Sequence, residues 1–322
     1  MSHLGRYQNG SSEPHVSSPR RLDDGFALVT VIWIAGILAT AAFVATSAVS
    51  SRLKAVDALI ETAEAEAAAD AGVSLAIAAM SERGQSPQAA SLYTPPIICR
   101  LSDQAALRVD VSDEAGKIDL NFASEEILRA VMTGLGWPSE LVGARIAALH
   151  DYVDGDSEPR ADGGEEQQYR DAGRTTGPRN GPLASVFELG QVLGFDTASI
   201  TQLIPYVTVH SGQSGVDPLM ATIELRALLE SGANGELLDM SKTLPDAPSL
   251  SAEFRTSSTQ YAMTVISQGV SAGGARFIRE AVVSFSTRTQ SRPVQHRIWR
   301  WSRGSERGTF APINAQGDFK RC

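Results

Sequence analysis

From position 154 the chain reads Asp154, Gly155, Asp156, Ser157, Glu158, Pro159, Arg160, Ala161, Asp162, Gly163, Gly164, Glu165. Carboxylates stand at positions 1, 3, 5, 9 and 12 of a twelve-residue loop, the ligand positions of a helix–loop–helix calcium loop. There hard oxygen donors wrap the cation and a final Glu can bind with both oxygens. Pro159 occupies position 6, where such a loop needs a glycine for its sharp turn, so a calcium loop of a different path is expected. Asp154, Asp156 and Glu165 are the leading ligands, while Glu158 and Asp162 depend on the path Pro159 imposes. The competing reading is a solvated acidic loop. No catalytic constellation accompanies it, and no enzyme is expected. His3, His15, His150, His210 and His296 are scattered, without a zinc-binding HExxH, a Walker loop or a nucleophile elbow. His150 beside Asp151 reads as a helix-end residue.

The elements that carry this loop begin with a membrane segment. No charge occurs between Asp24 and Arg52, and 27 residues at about 1.5 Å rise cover roughly 40 Å, more than a hydrocarbon core of about 30 Å. The run is too long for the h-region of a cleaved secretory signal. No proline interrupts Phe26 to Ser86, and Leu53, Val56, Leu59 or Ile60, Ala63 and Ala67 recur at helical steps. One helix to about Ser81 is predicted, greasy in its first half and amphipathic in its second. Arg6, Arg20 and Arg21 before the run favour an inside N-terminus, weakly, because Arg52 and Lys54 follow it. Gly25-Phe26 at the head of an uncharged helix resembles the class III leader of type IV pilins and pseudopilins. That resemblance implies cleavage by a prepilin peptidase after Gly25 and methylation of the Phe26 amine. Asp23, Asp24 and the length of the leader depart from its usual basic form. Pilin-like subunits also carry Glu at the fifth mature position, where this chain has Thr30.

Lys+Arg 28 against Asp+Glu 37 gives a net charge of -9, which argues against a polyanion partner. Cys99 and Cys322 are too few for a zinc ribbon. Both a single bridge and two reduced thiols stay open, the latter being the simpler reading. Beyond the helix, short apolar runs at 97–101 and 106–111 read as strands. A helical pattern holds from Asp113 to about Ile204, and 206–210 reads as a strand. A helix is expected from Pro218 to Glu230, then strands at 260–270, 275–285 and 294–301, with a Gly-rich hairpin at Gly273-Gly274. Ser124 is the expected cap of a helix with Glu125 and Glu126 in its first turn. The pattern of helix, Gly-apolar-Gly turn and helix at Gly134-Leu135-Gly136 is echoed near Gly194 and, more weakly, at 216–229. Helix-hairpin-helix units of this kind grip DNA phosphates. Residues 111–170, however, hold thirteen acidic against five basic side chains, and such a surface repels DNA.

The run Asp113-Glu114-Ala115-Gly116-Lys117-Ile118-Asp119-Leu120-Asn121, the loop from Asp154 to Tyr169, Asn180-Gly181-Pro182 and Phe187-Glu188-Leu189 resemble the general secretion pathway protein K (GspK) family of type II secretion. The resemblance implies an α+β, pilin-like fold: a long N-terminal helix and a small antiparallel sheet, interrupted by a large all-α insertion. The layout would be a leader over 1–25, a transmembrane half-helix over 26–51 and its periplasmic half with the first strands over 52–112. The helical insertion would take 113–205, the rest of the insertion and the C-terminal sheet 206–302, and a flexible tail 303–322. The family also implies two calcium ions, I-type and J-type minor pseudopilins as partners, and a single-pass inner-membrane subunit at the tip of a periplasmic pseudopilus. A membrane-anchored helix-hairpin-helix DNA-binding protein of the DNA-uptake type is the alternative.

Overall fold

The computed structural model describes residues 24–82, 96–239, 249–259, 261–286, 295–304, 313 and 319–322, and side chains from residue 28 onward. Residues 1–23 of the expected leader over 1–25, and most of the expected tail over 303–322, lie outside the described residues. The chain divides into two compact units, Met1–Leu59 and Ile60–Cys322.

Helix α1 runs over Asp24–Glu82; its part in the first unit exposes its large apolar side chains, from Leu28 through Phe43 to Leu59. Its hydroxyls turn back on their own helix: Thr40 Oγ1 donates to Ile37 O at 2.8 Å, Thr46 Oγ1 to Ala42 O at 2.7 Å and Ser50 Oγ to Thr46 O at 2.9 Å. Hydroxyls satisfied in this way can sit in hydrocarbon without stranded donors. By length and composition this helix can cross a membrane.

In the second unit the sheet runs β1 (Ile97–Ser102), β2 (Ala105–Asp113), β5 (Ala262–Ser271), β6 (Arg276–Phe285) and β7 (His296–Arg303). That spatial order is also the pairing order, and all pairs are antiparallel. Gly274, at φ 89, turns the β5–β6 hairpin. The later half of α1 lies on this sheet through Ala65, Ala68, Ala69, Val73 and Ala76. The stripe differs from the expected one, since Ala63 and Ala67 are exposed. In an alanine-rich stretch periodicity discriminates poorly, and contact is decided by how closely the backbones approach. A Cβ on Gly269 would stand 2.0 Å from Ala65 O and 2.6 Å from Ala69 N, so only glycine fits there. Arg279 of β6 ties the same face down, with Nε 2.6 Å from Asp70 Oδ1 and Nη2 2.6 Å from Glu66 Oε1.

Between β2 and β5 stands a mostly helical module with its own core, drawn from Ile118 to Phe254. It comprises β3 (Ile118–Asp119), α2 (Glu125–Gly134), α3 (Ser139–Val153), α4 (Glu166–Asp171), α5 (Thr197–Leu203), β4 (Val207–Thr208) and α6 (Ile223–Ala233). β4 falls within the strand expected at 206–210, whereas β3 departs from the expected helical pattern over 113–204; the two form a parallel ladder pairing Ile118 with Val207 and Asp119 with Thr208. Ser124 caps α2 as expected, accepting from Ile127 N.

The repeats are less regular than the sequence suggests. The segment Val186–Gln191 is a 3-10 helix. At the third echo only α6 forms, starting five residues after Pro218: Met220 N and Ala221 N bond to Asp217 O, and Thr222 caps the helix. Gly134 serves packing, since a Cβ there would lie 2.3 Å from Leu228 O, just as one on Gly232 would lie 1.8 Å from Ala130 O. These glycines let α2 and α6 meet backbone to backbone.

Module and sheet join through the run after β2. Glu114 is only 2% exposed. Its Oε1 accepts from Lys117 Nζ at 2.8 Å and Thr264 Oγ1 at 2.7 Å, and its Oε2 from Thr208 Oγ1. Burial alone would raise its pKa, but the Lys117 charge and the two hydroxyls outweigh it and hold the carboxyl below its ordinary value. Asp119, fully buried, accepts from Asn121 N at 2.9 Å and Gly212 N at 2.7 Å. Asn121 exchanges two hydrogen bonds with Leu183, at 2.7 and 3.0 Å. A Cβ on Gly116 would stand 2.4 Å from Met220 O. Glu114, Gly116, Asp119 and Asn121 are thus each fixed by a partner distant in sequence.

The simpler reading of the cysteines is corrected: Cys99 and Cys322 form a disulfide. Arg100 N donates to Lys320 O at 2.8 Å and Cys322 N to Arg100 O at 3.1 Å, so residues 320–322 line the outer edge of β1. The described residues of the expected flexible tail are therefore engaged, including Ile313, buried with Ala106 and Val270.

Candidate metal centre

The acidic loop leaves the C-terminus of α3 and returns at the N-cap of α4. Asp154 is the C-cap of α3, its N–H bonded to His150 O at 2.9 Å, and Glu165 caps α4. The carbonyl end of α3 thus faces the loop with the negative end of its dipole, favourable to a cation. Asp154, Asp156 and Glu165 each present an oxygen, and the three oxygens lie within 4.8 Å of one another. Glu158 and Asp162 stand outside this group and are exposed. Asp162 has φ 63, so it serves the turn, and Glu158 N bonds to Asp156 Oδ1 at 2.9 Å.

The group leaves acceptors stranded. Asp154 Oδ1 and Glu165 Oε1 are buried and accept no hydrogen bond; Arg160 reaches only the other oxygen of Asp154, Nη2 to Oδ2 at 3.6 Å. Burial raises the Glu165 carboxyl above its ordinary value, and the neighbouring charges of Asp151, Asp154 and Asp156 raise it further. Buried, unpaired carboxylate oxygens turned toward one another are unfavourable unless a cation lies among them. The hard-oxygen donor set therefore fits calcium. When bound, calcium would supply charge neutralisation and a crosslink between the ends of α3 and α4.

Asp151, which the sequence reading passed over, is the loop's internal anchor. It is fully buried; its Oδ2 accepts from Gly164 N at 2.7 Å and Arg160 N at 3.1 Å, and its Oδ1 lies 3.4 Å from Arg160 Nε. A Cβ on Gly163 would come within 2.1 Å of that Oδ2. The available signal was its position one helical turn before Asp154. Asn180 holds the opposite side, donating from Nδ2 to Asp156 O at 2.9 Å and from its backbone to Tyr152 O at 3.0 Å. Burial and then the Arg160 charge lower the His150 imidazole pKa below its ordinary value. Beside the cluster an open pocket of about 360 Å³ is lined by Pro159, Glu165, Gln168, Pro178 and Asn180.

Of the other sequence-derived positions, Gly25 and Phe26 fall in the first turn of α1, with the Phe26 side chain outside those described. Thr30 is half-buried on the same helix.

Residues 106–212 match the family model of the type II secretion system (T2SS), protein K. No curated protein matches the chain. Among solved structures, a chain of the GspK-GspI-GspJ complex from the enterotoxigenic Escherichia coli type 2 secretion system is similar at a TM-score of 0.49 and 16% identity. That likeness covers 80% of this chain and 99% of the other.

Proposed function

From a chain whose residues 106–212 match the family model of the type II secretion system, protein K, we propose a minor pseudopilin that caps the tip of a periplasmic pseudopilus and helps to initiate it. The observation that carries the reading is the family match over 106–212, chiefly the module after β2, in a chain whose α1 carries an uncharged run over 25–51 able to span a bilayer. The protein on this reading is a structural subunit without catalysis. It sits in the Gram-negative inner membrane as a single-pass protein with its bulk in the periplasm, an oxidising compartment in which a Cys99–Cys322 bridge persists.

A prepilin peptidase cuts after Gly25, and the Phe26 amine is methylated. An amine in hydrocarbon is costly without a carboxylate partner. A subunit with Thr30 at the fifth mature position cannot neutralise the amine of a subunit placed ahead of it, but it can offer its own amine to a Glu below. That asymmetry and the bulk of the module support one copy, at the leading position. Its partners are the I-type and J-type minor pseudopilins, with the inner-membrane secretion platform beneath and exported proteins as passing contacts. Asp154, Asp156 and Glu165 hold calcium, and the family's second ion would also fall within the module. The test is deletion of the gene, with crosslinking of a complementing copy. Lost secretion and crosslinks confined to minor pseudopilins are expected. Crosslinks at regular intervals along the shaft, or normal secretion and initiation without the gene, would overturn the cap.

A further inference from the structure

The two edges of the five-stranded sheet are treated differently. The edge at β1 is covered by the chain's own residues 320–322 and closed by the Cys99–Cys322 bridge. The edge at β7 meets no strand among the described residues. After β7, Gly304 N bonds to Ile278 O, and the next described residue, Ile313, packs on Ala106 of β2 and Val270 of β5, away from that edge.

An open edge is a row of unpaired N–H and C=O groups that invites another strand. The chemistry of β7 selects which one. Residues 296–303 carry three arginines and no carboxylate, in a chain of net charge -9. Arg300 is paired with Glu280, whereas Arg297 and Arg303 rest on the rings of Trp299 and Phe277 and have no carboxylate partner among the described residues. Two β7 strands brought together would repel, so pairing with a second copy is disfavoured. A bulge in the β6–β7 register, between Val282 and Val283, falls at Trp299. Trp299 lies 5.6 Å from the His210 ring and donates from Nε1 to Ser284 Oγ at 2.8 Å. Along this face a cleft of about 660 Å³ runs between β7 and the module, lined by Trp299, Arg300, Phe187, Ile204, Val207 and His210. Phe187 is 65% exposed at its rim.

We propose that β7 accepts an extended acidic segment of another protein as a sixth strand, with one apolar side chain of that segment seated in the cleft beside Trp299 and Phe187. Backbone pairing supplies affinity, and the alternating side chains supply selection. Glutamates or aspartates of the segment meet Arg297 and Arg303. The inference concerns β7 and the cleft it shares with the module, and does not rest on the assembly proposed above.

The test uses the full chain in detergent micelles and a fluorescent eight-residue peptide alternating glutamate with valine around one central phenylalanine. Saturable binding is expected, with slowed amide exchange over 296–303. Arg297→Glu with Arg303→Glu, both exposed and therefore tolerated by the fold, should weaken binding roughly tenfold. Phe187→Ser should weaken it without changing the charge dependence. Equal binding of a lysine-for-glutamate peptide, binding without protection of 296–303, or self-association of the chain through β7 would each overturn the proposal.

Discussion

Glu114 and Thr264 lie 150 positions apart in sequence and share a buried hydrogen bond of 2.7 Å. Through that carboxylate the strand that leaves the sheet, the strand that re-enters it and the β3–β4 ladder of the module are held at one point. Removing the carboxylate strands two hydroxyls and unpairs Lys117, so Glu114→Ala should cost about 3 kcal/mol in equilibrium denaturation. Because the folded carboxyl titrates below its ordinary 4.5, its contribution is complete above that value and is lost as pH falls through the depressed one. Burial holds Asp119 up instead, and its earlier protonation in the fold softens the acid loss. Wild type should therefore lose more stability on acidification than Glu114→Gln does.

Calcium should stabilise the module by mass action, by about 2.7 kcal/mol at a free concentration one hundred times Kd. Chelation with EDTA should lower the melting temperature, and Glu165→Gln should abolish the difference between the two conditions. Glu158→Gln and Asp162→Asn should change it little. An EDTA-insensitive melt would identify a solvated acidic loop.

Reduction of the disulfide, or Cys322→Ser, should cost about 3 kcal/mol. It should also open the β1 edge, read as faster amide exchange near Arg100. Slow exchange there in the reduced protein would mean that residues 320–322 hold the edge unaided.

Gly269→Val should misplace α1 on the sheet, because its Cβ would collide with the Ala65 and Ala69 backbone. A loss at the upper end of the roughly 1–3 kcal/mol range for overpacking is expected in thermal melts. Gly274→Ala, at an open but positive-φ turn, should cost about 1 kcal/mol.

Processing is checked by mass spectrometry of the chain from cells with the peptidase. An N-terminal methylated Phe26 is expected, and recovery of Met1 would refute the leader.

What the sequence makes legible is whatever has a local period or a local spacing: α1, the β5–β6 hairpin, the Ser124 cap, and Asp154, Asp156 and Glu165. What it hides depends on distant partners. Glu114 reads as one acid among many because Thr208 and Thr264 stand 94 and 150 positions away. Asp151 looks like a helix-end residue until the loop folds back and Gly164 donates to it. The burial stripe on α1 is blurred because alanines differ little in hydrophobicity, while the close fit to Gly269 is a property of two backbones. The start of α6 shifts because Asp217 captures the residues before it.

The way the module leaves and rejoins the sheet also bears on the order of folding. Asp113 of β2 pairs with Met263 of β5, so the sheet can be completed only by closing a loop of well over one hundred residues, a slow step for an open chain. Asp217 shortens it: its N–H bonds to Ala115 O, its Oδ2 accepts from Ser258 N, and Ser258 Oγ in turn bonds to Asp113. A module that folds first thus carries its two exits side by side, and the remaining search is that of a short hairpin. An inserted domain that folds first would act as a kinetic template for the sheet it interrupts, and on that account substitutions at Asp217 should slow refolding more than they speed unfolding.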